Sequence, residues 1–288
     1  MNDNFLTENL SQSTGMRVFI FAIIFLVCTL LGAAITAFMA FGGDLMLKMA
    51  QGISSVLMFV VPPIVYYYIT RKEQPMLQLG FRKVASPAAM LLVAGVLLMF
   101  ISLPFTNQLT SWNEALKLGG AFEKVETWMK NLEDAAAAVT ERMLNVDTFG
   151  GLLLNLIVIA LIPAVGEELT FRGVLQQALT RKIKNPHVAI ILSAAIFSFI
   201  HFQFYGFLPR MFLGILLGYM FYTTGSLWTS MLMHFLNNGT AVVLYFLNNK
   251  GIIDIDVEHF GAMNGWMVAL SAVMTAALIV WSWWKAKQ

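Results

Sequence analysis

The sequence predicts an all-α, polytopic membrane protein of about eight transmembrane helices with an amphipathic extracytoplasmic segment, and three observations predict it. Of 288 residues, 58% are hydrophobic and 12% charged, against roughly 45–50% and 25% in soluble domains. Apolar runs close to the ~20 residues that span a bilayer recur eight times along the chain. The loops between them alternate between basic and acidic, as the positive-inside rule requires. A net charge of +2 gives no reason to expect a nucleic-acid partner, and the lone Cys28, inside the first apolar run, permits no intramolecular disulfide and reads as packing.

The elements follow in order. Residues 1–16 are polar and slightly acidic, and the run 18–41 behind them is too long for a signal-peptide core, so it reads as a retained first span. The other runs are 53–70, 87–106, 150–165, 188–205, 207–222, 227–247 and 265–284. Arg71, Lys72, Arg82 and Lys83 between spans two and three, Arg181–Lys184 after span four, and Lys285 and Lys287 at the tail mark the cytoplasmic side. The segment 107–148 holds seven acidic and four basic residues, and 248–264 holds Asp254, Asp256 and Glu258 against Lys250. Both termini are therefore expected in the cytoplasm, and the size and charge pattern suit a bacterial inner membrane. In the long connection, Phe122, Val125, Met129 and Leu132 recur at helical spacing near Trp112 and Trp128, which predicts one or two amphipathic helices on the outer surface, resting at the interface or gating a substrate. Pro62, Pro63 and Pro163 should kink or break their helices.

Ionisable groups inside a bilayer cost several kcal/mol unless paired or hydrated, so their positions are informative. Spans one, two, three and eight have none in their apolar interiors, whereas span four ends in Glu167, Glu168 and Arg172, span five holds His201, span six Arg210, and span seven His234, Asn237 and Asn238. Glu168 and Arg172, four apart with the carboxylate first, form a favourable helical ion pair. Glu167 points about 100° away and must find its partner on another helix, on water or on a proton. His234 and Asn238 share a helix face, and Phe197, one turn before His201, is placed to orient that imidazole.

These parts compose a hydrolytic site. Glu167 and His201 could deprotonate and orient a water while His234 and Asn238 donate to the oxyanion formed at a peptide carbonyl. Other designs fit less well: there is no HExxH and no GxSxG, and Phe41-Gly42-Gly43-Asp44 lacks the first glycine of GxGD. A zinc site of Glu167, His201 and His234 stays open, because two histidines and a carboxylate bind catalytic zinc; otherwise no cofactor is expected. A non-catalytic scaffold and a proton-coupled transporter are the alternative functions.

The ordered set EExxxR (Glu167–Arg172), FxxxH (Phe197–His201) and HxxxN (His234–Asn238) resembles the CAAX prenyl protease and bacteriocin-processing family, which includes type II CAAX endopeptidases and lysostaphin-resistance-protein-A-like proteins. The resemblance implies an eight-helix, glutamate-dependent intramembrane endopeptidase, with Glu167 and His201 activating water, His234 and Asn238 forming the oxyanion hole, and Glu168 and Arg172 supporting them. It also implies a protein or peptide substrate, reached from the bilayer or the cytoplasm, and admits immunity or scaffold roles without cleavage. Residues 150–247 are the expected core, flanked by a membrane region 1–149 and a terminal loop and span 248–288. The prediction contains a tension. From the expected span ends, His201 lies about 20 Å and Glu167 about 5–10 Å from the cytoplasmic side, so convergence requires span five to start near Pro186.

Overall fold

A computed structural model describes residues 14–39, 42–70, 74–82, 86–257 and 259–286. Residues 1–13, the basic-loop residues Arg71, Lys72 and Lys83, the acidic Glu258 and the tail Lys287 lie outside the described residues. Those described form helices and no strand, so the all-α prediction holds. The longer ones, in order, are α1 (Thr14–Met39), α2 (Asp44–Thr70), α3 (Ser86–Ile101), α4 (Leu103–Glu114), α5 (Glu123–Leu144), α6 (Phe149–Ile183), α7 (Pro186–Phe199), α8 (Phe207–Thr224), α9 (Leu227–Asn249) and α10 (Gly265–Lys285), with one short helix at Pro75–Leu79.

The protein is a multi-pass membrane protein, and five or six of the eight predicted spans are recognisable by length and apolarity. Among the described residues five helices are long and apolar enough to cross a membrane, and α3 with α4, bent by 45°, makes a sixth if the pair is one span. The other two predicted runs fall short for physical reasons: α7 has only 14 residues, and α9 is diluted by His234, Asn237 and Asn238.

The prolines do not break their helices. Pro62 and Pro63 leave α2 continuous, because the turn before them, Val56–Val60, widens into a π-helix. A proline has no N–H for the carbonyl one turn back, and the Phe59 carbonyl facing Pro63 accepts instead from Thr170 Oγ1 of α6 at 2.9 Å. Pro163 works the same way within α6, which also carries π-helical turns at Leu156–Leu161 and Leu169–Gln176. The real bend falls at Ser102, just before Pro104.

Two glycines set the helix spacing around the centre. A Cβ on Gly166 would lie 2.8 Å from Phe59 Cβ, so α6 can touch α2 only with glycine there. A Cβ on Gly214 would lie 2.9 Å from Ala194 Cβ, and its absence lets α8 close on α7. The predicted amphipathic segment is one helix, α5, its C-terminal end tied down by Asn155 Nδ2 donating to the Met143 carbonyl (2.8 Å) and Asn249 Nδ2 to the Leu144 carbonyl (2.9 Å). At mid-length Trp128 packs on Phe204 with ring centroids 5.5 Å apart, and Glu133 accepts the Tyr205 N–H at 3.0 Å. The long connection is thus mostly helical, in α4 and α5, as its spacing predicted.

Candidate active site

The two adjacent glutamates part company because a helix turns about 100° per residue. Glu168 turns into the packing. Its Oε1 accepts from Arg172 Nη1 at 2.7 Å, with both side chains at most 1% exposed, and from His234 Nδ1 at 3.0 Å. The guanidinium is held further by the Gly214 carbonyl (2.8 Å) and lies 5.2 Å from the centre of the Phe197 ring. A buried ion pair keeps its charges only with such additional hydrogen bonds. Glu167 turns the other way, with its side chain 11% exposed, and its oxygens stand 4.0 Å from His201 Nε2 and 3.7 Å from His234 Nε2. Both separations are too long for a direct hydrogen bond and leave room for a shared water.

Each ring nitrogen facing away has an acceptor as partner, which assigns the protons. His201 Nδ1 lies 2.8 Å from the Phe197 carbonyl and must carry the hydrogen, so Nε2 of the neutral ring offers its lone pair toward Glu167. His234 Nδ1 likewise donates to Glu168. Phe197 packs edge-on against both rings, its centroid 5.1 Å from that of His201 and 6.1 Å from that of His234. Asn238 is fixed by the helix opposite. Pro163 cannot bond the Ile159 carbonyl, and Asn238 Nδ2 donates to it at 3.2 Å, which leaves the second amide hydrogen available.

The three motifs therefore meet. Helix α7 starts at Pro186, with Asn185 Oδ1 capping the N–H groups of His187 (3.0 Å) and Val188 (3.3 Å), as convergence required. The predicted depths need correction. Span four was expected to end near residue 165, but α6 runs 35 residues, so Glu167 lies about 27 Å from its start and about 24 Å from its end. His201 was expected inside span five; α7 ends at Phe199, and the imidazole sits just beyond, before a left-handed Phe202 at φ 53°. That end lies about 20 Å from Pro186, which brings it close to the level of Glu167.

A cavity of about 530 Å³ opens from Glu167, His201, His234 and Asn238, within the usual range for a ligand pocket. It is also lined by Thr106, Thr140, Leu144 and Tyr245, from the end of the molecule that carries the acidic segments, and among the described residues the basic-loop end contributes none of its lining. Gln203, Arg210 and Asn237 also line it. Sequence reasoning noted Arg210 and Asn237 as intramembrane polar groups without a role and missed Gln203; an arginine in an apolar run was the available signal. Among the described residues, no three His, Cys, Asp or Glu form a group that could hold a metal ion.

No curated protein and no solved structure matches the chain. Residues 149–240, the segment that carries all three motifs, match a family model described as Rce1-like, type II CAAX prenyl endopeptidase Rce1-like.

Proposed function

We propose that the chain is an intramembrane endopeptidase in which Glu167 and His201 activate a water and His234 and Asn238 receive the oxyanion. The observation that carries this reading is the meeting of four polar side chains from α6, α7's end and α9 at a cavity, with Glu167 near two imidazoles but hydrogen-bonded to neither. Water held between Glu167 and His201 Nε2 attacks the carbonyl carbon as its proton passes to Glu167. The carbonyl π pair becomes the oxyanion, met by the free Asn238 N–H and by His234 Nε2–H. His234 can donate there only when it carries both protons, because Nδ1–H is already given to Glu168. The C–N bond then breaks as the leaving nitrogen takes the proton from Glu167, giving one carboxylic acid and one amine.

The lining by Thr106, Thr140 and Leu144 supports substrate access beneath α5. The reading needs no cofactor. The zinc alternative uses the same Glu167, His201 and His234, and metal content with activity after chelation separates the two. The test of function is a comparison of protein termini in cells carrying the native chain and Glu167→Gln. New C-termini made only by the native chain are expected. Identical termini with an unchanged phenotype point to a scaffold, and loss of pH-dependent flux in their place points to a transporter.

A further inference from the structure

Arg210 stands in the first turn of α8 and lines the same cavity as Glu167 and His201. A guanidinium has five N–H donors and a charge that proteins do not remove. Here Nη1 donates to the Gln203 carbonyl at 3.2 Å and Nη2 to Gln203 Oε1 at 3.0 Å, both neutral acceptors. Glu133 and Glu167 are near enough to act on its charge, yet among the described residues neither forms an ion pair with it within 4.0 Å. Glu133 is already engaged by the Tyr205 N–H. The loop is shaped to accommodate the guanidinium: a Cβ on Gly206 would lie 2.9 Å from Nη2. A cation kept at membrane depth on neutral acceptors, facing an open cavity beside a hydrolytic centre, is provisioned for an anion that arrives with the ligand.

We propose that Arg210 forms a subsite for a peptide carboxylate, either the free C-terminus of the bound peptide or an acidic side chain near the bond to be cut. The assignment rests on the endopeptidase reading for the nature of the ligand, and its test uses binding, which does not depend on turnover. The full chain in a non-ionic detergent is titrated calorimetrically with acetyl-Leu-Leu-Phe as the free acid and as the C-terminal amide. A second pair, acetyl-Leu-Glu-Phe amide and acetyl-Leu-Gln-Phe amide, reports the side-chain source.

The native chain is expected to bind one or both carboxylate members about tenfold more tightly than the uncharged counterpart, the usual scale of one charged hydrogen bond. Arg210→Gln should abolish that preference and Arg210→Lys should keep part of it, each with an unchanged thermal midpoint. A preference in the first pair alone assigns the C-terminus, and in the second pair alone the side chain. Equal affinities within both pairs, no binding of any peptide, or a preference that survives in folded Arg210→Gln overturns the proposal. Should Arg210→Gln not fold, the native ratios and the Lys variant still decide. Failure of the endopeptidase reading would be seen separately, as termini that do not change with Glu167→Gln.

Discussion

The packed flank of the site and its open flank start from two neighbouring residues of one helix, Glu168 and Glu167, and behave as opposites. On the packed flank, Glu168 and Arg172 bond each other, Arg172 also bonds the Gly214 carbonyl and lies against Phe197, and these three side chains are 0–2% exposed, with Glu168 Oε2 and Arg172 Nε left without a hydrogen-bond partner among the described residues. On the open flank, Glu167, His201, Asn238 and Arg210 stand at a cavity and keep bonding capacity in reserve. The contrast teaches that adjacent carboxylates can divide structure from chemistry simply by helical phase, with the partnered one supporting the other.

Substitutions can break or sharpen that contrast. The largest effect is expected from Glu167→Gln, which should lower cleavage by about a thousandfold or more while leaving the thermal midpoint in detergent unchanged. A large loss of thermal stability would place Glu167 on the packed flank. Arg172→Ala should do the reverse, destabilising by roughly 3–5 kcal/mol because buried Glu168 loses the cation that compensates its charge, and a fully stable, active variant would contradict the division. Asn238→Ala should slow cleavage about a hundredfold, as the loss of one oxyanion donor does, with a stability change well below that of Arg172→Ala.

Helical phase is also why this much was legible. EExxxR, FxxxH and HxxxN each place two side chains on one helical face, so the pairing of Glu168 with Arg172 and the proximity of Phe197 to His201 follow from spacing alone. Depth was not legible, because apolar runs do not reveal that α6 continues through Arg172 and Gln176 to Ile183, where buried polar residues are paid for by contacts with other helices. Nor did the prolines show which helices stay continuous: the carbonyls left by Pro63 and Pro163 are taken up by Thr170 and Asn238 from distant parts of the chain. The cavity walls from Thr106 and Thr140 depend on α4 and α5 folding back over the site, which no local pattern encodes.

The smallest expected effect lies outside the membrane and serves as a control. His259 bonds Asp256 at 2.8 Å and faces Glu114 at 3.7 Å, and the Asp256 hydrogen bond raises its pKa above the ordinary 6.5. Its contribution is therefore fully present below about pH 6.5 and is lost as pH rises through the raised value. For a pair this exposed it should stay under about 1 kcal/mol. Thermal midpoints of the native chain and His259→Ala should differ slightly at pH 5.5 and converge by pH 9; a constant difference would refute the linkage. Cleavage should be indifferent to the substitution.

The central claim is that Glu167 and His201 act on one water as a unit, and a double-mutant cycle on cleavage rate tests it most directly. Groups that act together are not additive. The Glu167→Gln, His201→Ala double variant should cleave no more slowly than the worse single variant. Losses that multiply across the two positions would mean that the two groups work independently, and would contradict the account.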